Sequence, residues 1–552
     1  MVHRGVARGL VLLLVAWGLA GCSSTSAQDS GGPLSPEQAA YDVLHYDLDV
    51  TVAPARERID GEVAVRAVVE DTLGVLVLNL DRRLSVRRAW ERGENGEMRR
   101  STERRNGQNE LWIELGRSYA PGDTLRARVT YEGRPRVAPN PPWDGGLTWD
   151  KTPSGAPWIA TSCQAEGADL WWPVKDHPSD EPDSMDLAFT VPDTLVAASN
   201  GRLRSVERAS DSTKTYRWHV STPINTYNVA LHAAPYVRLD TTYVSTSGDA
   251  VPVSAYVLPS DSARAARALP GFLDQVRFLE ETLGPYPPRT DKYGLAQSPF
   301  LGMEHQSLIA YGHDFAPGGL GYDASFDALH FHELAHEWYG NLVTVADWKD
   351  FWLHEGTATY LEALYAERLD GNSAYHARMD HARESMSEGQ ALARTASTTA
   401  EEIYHGDVYH RGALVLHTLR YVVGKETLRT VLRRFAYPEG TASQGEVPFR
   451  HVTTHDFVQL AETVSGRSLD VFFQVYLYQS GLPVLDTRRE EGRLRLAWAG
   501  TGSASFEVPV PVRVEGRTKR VTMEGGNGSV AAPAGAEVTV DPKGWVLRRQ
   551  QL

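Results

Sequence analysis

The pentapeptide His332-Glu333-Leu334-Ala335-His336 constrains this 552-residue chain more than any other feature. Histidines at i and i+4 can face one ion only if the backbone between them is helical, because successive turns stack those positions on one face. Two imidazoles leave an ion short of ligands. Eighteen residues separate His336 from Glu355, which lies within Trp352-Leu353-His354-Glu355-Gly356-Thr357. That spacing lets a loop and a second helix return a carboxylate to the same ion. Zinc suits the set, since it takes nitrogen and oxygen ligands tetrahedrally and keeps one position for water. One zinc ion per chain is therefore expected on His332, His336 and Glu355. Glu333, beside the first ligand but not a ligand itself, is placed to take a proton from the attacking water. A set completed by a third histidine fails, because it needs Gly at position 339 and His at position 342, where the chain has Tyr339 and Leu342. Thr359 and Glu362 follow Glu355 at i+4 and i+7; either could orient a ligand histidine, or both could lie on a solvated face. His330, His354, His405, His410 and His417 read as surface or supporting residues.

Hydrophobic spacing divides the rest. From about residue 41 to 239 the period is two. Leu44, Tyr46, Leu48, Val50 and Val52 alternate with polar neighbours, and Leu125, Ala127, Val129 and Tyr131 alternate with Arg126, Arg128 and Thr130. Near Val251 the style changes. Leu269, Phe272, Leu273, Val276, Leu279 and Leu283 recur at helical spacing, and Gly284-Pro285 stops the helix. The metal motif is expected in a helix over 323–340. Short β-like runs return after Gly481, such as Phe506-Glu507-Val508-Pro509-Val510. The fold class is thus multidomain α+β: an N-terminal all-β domain over 36–245, a mainly helical catalytic domain over 246–481, and a small C-terminal β domain over 482–552.

Composition narrows the classes. Apolar residues at 42% and charged residues at 23% fit a folded chain and exclude disordered and low-complexity types. A net charge of −14 argues against a nucleic-acid partner. Two cysteines, Cys22 and Cys163, exclude a disulfide framework. The first has its own explanation. Arg4 and Arg8 precede an apolar run over 9–20, too short to span a membrane, which ends Leu19-Ala20-Gly21-Cys22. This resembles a bacterial lipobox. Residues 1–22 are expected as a lipoprotein signal peptide, Cys22 as the lipidated residue that attaches the chain to a membrane, and 23–35 as a flexible Ser/Gly tether. Ser23 and Ser24 lack the aspartate of an inner-membrane retention signal. The expected location is the cell envelope, on the outer membrane or facing the periplasm.

Further motifs resemble the gluzincin zinc aminopeptidase family, which includes alanyl aminopeptidases and the leukotriene epoxide hydrolase. Phe300-Leu301-Gly302-Met303-Glu304-His305 is similar to its Gly-x-Met-Glu-Asn signature, with His305 in place of Asn and Glu304 28 residues before His332. The resemblance implies that Gly302 and Met303 form a strand edge for substrate backbone. It implies that Glu304 binds the free α-ammonium, which limits cleavage to one residue. Thr161-Ser162-Cys163-Gln164-Ala165-Glu166-Gly167 resembles the segment supplying a second amine contact; Gln164 matches that position, and Glu166 is its rival. Cys163 reads as a small buried filler. Asp407-Val408-Tyr409-His410-Arg411-Gly412 is similar to the family's Tyr-x-Lys-Gly pattern, with Arg411 for Lys. Tyr409 is implied as the donor to the oxyanion, with Tyr404 lining the pocket. The Trp171-Trp172 loop reads as packing between the β and catalytic domains.

The resemblance implies a thermolysin-like catalytic domain and a zinc-dependent aminopeptidase acting on peptides with a free N-terminal amine. The alternatives are a catalytically inactive peptide-binding scaffold, a lipid epoxide hydrolase, or an endopeptidase if Glu304 does not line the cleft. The chain's length leaves no room for the large helical C-terminal domain of many members, so a more open cleft is expected.

Overall fold

The alternating residues of the first third build one long sheet. The computed structural model describes residues 29–93, 96–105, 109–387, 389–441, 447–502 and 505–549. The expected signal peptide, Cys22 and residues 23–28 lie outside them. The sheet has eight strands in the order Arg202–Arg208, Thr213–Val220, Ser184–Pro192, Tyr41–Ala53, Arg58–Val69, Thr124–Gly133, Leu84–Arg92 and Met98–Ser101. Only the pairing of Tyr41–Ala53 with Ser184–Pro192 is parallel. Leu125, Ala127, Val129 and Tyr131 are all buried, while Arg126 and Arg128 are exposed. In the first strand the alternation slips. A register shift between Val43 and His45 puts Val43 rather than Leu44 in the core, and Tyr46, Leu48, Val50 and Val52 follow as expected. One inserted residue moves everything before it to the other face.

Trp171 and Trp172 are fully buried, but their ring partners are Phe189 (6.2 Å) and Tyr46 (4.9 Å) of the β domain. Their aromatic contacts thus lie within that domain. The last part of the presumed tether also differs from expectation: residues 29–35 are bonded into the body, and Ser35 caps a short helix, Pro36–Ala39.

A five-stranded sheet opens the catalytic half, in the order Val237–Val244, Ala250–Val257, Tyr293–Gln297, Ile309–Tyr311 and Gly302–Met303. Val237–Val244 pairs along its whole length with Ala250–Val257. It therefore belongs with the catalytic sheet, and the boundary expected at 245 falls before residue 237. The helix Ser262–Leu283 turns Phe272, Val276, Leu279 and Leu283 inward and stops at Gly284. The motif helix is shorter than expected, Ala328–Ala335, because the Asp327 side chain accepts the His330 N–H and caps it there.

Trp352–Asp370 is the central helix, buried on nearly every side up to Ala366. It crosses Asp407–Val423 at Gly356 and Gly412, where a Cβ on either glycine would lie 2.8 Å from the other's Cα. Gly412→Val is expected to destabilise the protein by about 1–3 kcal/mol, the usual cost of overpacking, read as a lower midpoint in urea. An unchanged midpoint would show that the crossing can spread freely.

Two three-stranded sheets end the chain. They dock on the helices through Leu547 N–H to Thr418 Oγ1 (3.0 Å) and Tyr476 OH to Leu547 O (2.7 Å). His417 contributes Nε2 to Gly544 O at 3.0 Å, which gives it a structural task. No helix among the described residues is long and apolar enough to cross a membrane.

Candidate active site

The motif helix and the central helix bring three ligand atoms together. His332 Nε2 lies 3.2 Å from His336 Nε2 and 3.3 Å from Glu355 Oε2, and His336 Nε2 lies 3.3 Å from the same oxygen. Four-coordinate zinc with bonds of about 2.0 Å sets its ligands about 3.3 Å apart. The residues present therefore fit the metal. Burial pushes the Glu355 carboxyl up, but the adjacent His336 and His332 imidazoles outweigh it and hold it far below the usual range.

Each histidine has its other nitrogen fixed. His336 Nδ1 donates to Tyr339 O (2.9 Å), and His332 Nδ1 to Glu362 Oε1 (2.9 Å). Glu362 is in turn held by Arg378 Nε (2.8 Å) and Tyr322 OH (2.6 Å). Of the two candidates, Glu362 is the orienting group, while Thr359 lines the cleft. Glu362→Gln is expected to weaken zinc binding about 10- to 100-fold, measured by competition with a chelating indicator. Unchanged affinity would remove Glu362 from that role.

Glu333 lies against Gly302: a Cβ there would sit 2.3 Å from Glu333 Oε1. Any side chain at 302 would displace the carboxylate, which is the physical reason for glycine. Burial, with Glu304 and Glu355 nearby, pushes the Glu333 carboxyl up against the opposing pull of His332 and His336.

The strand Gly302–Met303 is the last of its sheet, paired antiparallel with Tyr311 and Ala310. It delivers Glu304 to the cleft, 3% exposed. Glu304 Oε1 accepts hydrogen bonds from Tyr227 OH (3.1 Å) and from Gln164 Nε2; the Gln164 amide also reaches Glu355 Oε1 at 3.1 Å. Glu166 turns away. It accepts Gly145 N–H (2.7 Å), pairs with Arg136 (3.4 Å), and so fixes a neighbouring loop. Tyr227 escaped sequence reading, since nothing local marks it apart from an ordinary core tyrosine.

Tyr409 sits in the first turn of Asp407–Val423, its ring stacked on His332 at 6.0 Å. Its hydroxyl meets that of Tyr404 at 2.8 Å. Burial raises both phenols, so both keep their protons. Tyr404 thus holds Tyr409 as well as lining the pocket. Arg411 leaves the cleft: its guanidinium donates to four carbonyls, those of Gln390, Tyr476, Gln479 and Ser480. A planar fork can serve several carbonyls at once, which a lysine cannot match in geometry.

The other histidines divide by burial. His330 stacks on Phe272 (3.8 Å), and His354 Nε2 accepts Val345 N–H (3.0 Å); burial keeps both neutral. His305 meets His232 (3.3 Å) behind the Glu304 strand. His405 and His410 line the cleft. Cys163 is buried, and burial pushes its thiol up. The cleft encloses about 680 Å3, with Glu304, Glu333 and Glu355 among its walls and Trp143 and Leu320 bordering it. That is room for a small peptide.

The chain is similar to known proteins over both of its halves. Residues 275–476 match the peptidase family M1 domain, and residues 43–228 match the peptidase M1 N-terminal domain. Glutamyl aminopeptidase of Rattus norvegicus is 24% identical over 479 residues, covering 80% of this chain and 47% of that protein. Aminopeptidase M1-C of Oryza sativa subsp. japonica is 25% identical over 358 residues, covering 61% of this chain and 38% of that protein. The chain therefore spans less than half the length of these two relatives. Among solved structures, an M1 zinc metallopeptidase mutant from Deinococcus radiodurans, bound to a Tyr-Ser-Ala substrate, superposes with a TM-score of 0.64 at 27% identity. It covers 80% of this chain and 95% of that one. A two-domain M1 zinc metallopeptidase mutant bound to L-tryptophan gives 0.66 at 27% identity, covering 82% and 98%. His332, His336 and Glu355 are a zinc-binding triad. With both of its halves matched and its metal ligands in place, the chain belongs to peptidase family M1.

Proposed function

We propose that this chain is a zinc-dependent aminopeptidase that removes the N-terminal residue from peptides with a free amine. One observation carries the reading: the Gln164 amide bonds both Glu304 and Glu355. The carboxylate that would hold an ammonium is one side chain from a metal ligand, so the first peptide bond is the one that reaches the metal.

Bound zinc would supply Lewis-acid polarisation of the scissile carbonyl and activation of water. The chain's own residues supply the rest. Glu304 would pair with the α-ammonium while Gln164 and Tyr227 hold its carboxylate. The Gly302–Met303 edge would bond the substrate backbone. Glu333 would take the proton of the attacking water and pass it to the leaving amine. Tyr409 would donate to the carbonyl oxygen as negative charge gathers there. The names and bound ligands of the relatives, aminopeptidases and metallopeptidases with peptide or amino acid, support this reading. The test is hydrolysis of alanine and leucine p-nitroanilides, lost on chelation and restored by zinc. Equal cleavage of N-acetylated peptides would sink the exopeptidase part.

We also propose that Cys22 is lipidated and ties the enzyme to a cell-envelope membrane; the support is the leader sequence ending Leu19-Ala20-Gly21-Cys22. Incorporation of labelled fatty acid, abolished in Cys22→Ala, tests it; an unlabelled parent would overturn it.

A further inference from the structure

Residues 29–32 touch both halves of the molecule. On the N-terminal side, Ser30 N–H donates to Ala165 O (3.1 Å), and His177 Nε2 donates to Gly32 O (3.0 Å). On the catalytic side, Gly32 N–H donates to Thr398 O (3.2 Å), Ala400 N–H to Ser30 O (3.0 Å), and Glu401 N–H to Asp29 Oδ1 (2.8 Å). Gly31 and Thr399 form an antiparallel bridge. Ser30 and Gly32 are buried. Gly31 lies against the Trp348 indole with φ +81°, and a Cβ there would sit 2.4 Å from Trp348 Cδ1. Ser30 Oγ accepts the indole N–H at 3.2 Å.

Trp348 carries this contact inward along two routes. Its ring packs on Tyr227 (5.7 Å), whose hydroxyl donates to Glu304. It also packs on Phe351 (5.2 Å), which packs on Tyr404 (5.6 Å), whose hydroxyl meets Tyr409. A third route is direct, because Ala165 follows Gln164 in the chain. The two ligand histidines are fixed by other groups, Glu362 and Tyr339 O.

We propose that residues 29–32 are a positioning strap, which crosses the seam between the two halves and sets Gln164, Glu304 and Tyr409 relative to the metal triad; this rests on the aminopeptidase reading above. Ser30 and Gly31 touch no substrate and act through Ala165 and Trp348. Misplacing a reacting group by about 1 Å can cost about 10²-fold in rate, so a small shift of Trp348 is enough to matter.

The test uses full-length protein and leucine p-nitroanilide. Gly31→Val forces a branched side chain against the indole, and kcat/KM is expected to fall about 10- to 10²-fold. The loss should be divided between a higher KM, from Glu304 and Gln164, and a lower kcat, from Tyr409, with one zinc per chain retained. Ser30→Ala removes only the hydroxyl and should cost about fivefold, with Ser30→Thr recovering the loss. Should Gly31→Val fail to fold, Ser30→Ala and Trp348→Phe, which keeps a ring but loses the N–H donor, give the same reading. Variants that melt lower but keep parental KM and kcat overturn the strap and leave a simple structural tie. A parent inactive on every p-nitroanilide overturns the aminopeptidase reading and the strap with it.

Discussion

Glu333→Gln should lower kcat for leucine p-nitroanilide by about 10²–10⁴-fold, the range lost with a general base, while the protein still binds zinc. The substitution is nearly isosteric, so the side chain can still lie against Gly302, where there is no room for anything larger. The ligand histidines should keep their places, since Glu362 and Tyr339 O fix them independently of Glu333. Neutralising Glu333 also removes the cost of burying its charge, which together with the nearby Glu304 and Glu355 carboxylates outweighs the pull of His332 and His336, so stability should hold or rise. The measurement is kcat together with metal content per chain. Full zinc with parental turnover would remove Glu333 from proton transfer; a metal-free variant would show that it supports the site instead.

Tyr409→Phe is the second large effect, a loss of about 10²–10³-fold in kcat, the size seen when one oxyanion donor is removed. Phenylalanine keeps the ring that stacks on His332 and deletes only the hydroxyl. KM should therefore change little, because the groups that would hold the ammonium, Glu304 and Gln164, are untouched. Tyr404→Phe should cost less, since it removes the partner that orients the Tyr409 hydroxyl and leaves the donor itself. The reverse order would hand the oxyanion role to Tyr404.

What could be read in advance follows from how far apart the interacting residues lie. His332 and His336 were legible because a helix ties them at four residues, and Glu355 because one loop and one helix return it. Glu362 and Thr359 could not be separated along the sequence: the deciding groups, Arg378 and Tyr322, come from other elements. Gln164 and Glu166 are two residues apart in one turn, and only the turn's direction decides which faces Glu304. A period of two marks Val237–Val244 as a strand without naming its sheet, and only its pairing with Ala250–Val257 joins it to the catalytic sheet. Residues 29–32 look like a flexible linker by composition. Two of them are small or conformationally permissive for a different reason: Gly31 lies against an indole, and Ser30 supplies it an acceptor.

The close crossing at Gly356 and Gly412 has a mechanical consequence. Glu355 precedes Gly356 and Tyr409 lies about one turn before Gly412 on the crossing helices, so a metal ligand and the proposed oxyanion donor are carried on one stiff frame. Gln164 belongs to the other half of the molecule. A swing of the two halves about their seam would move Gln164 and Tyr227 against Glu304, at the end proposed to grip the amine, while the crossed pair of helices kept its shape. Such an enzyme could admit and release its substrates by breathing, without dismantling and rebuilding the catalytic centre in each turnover.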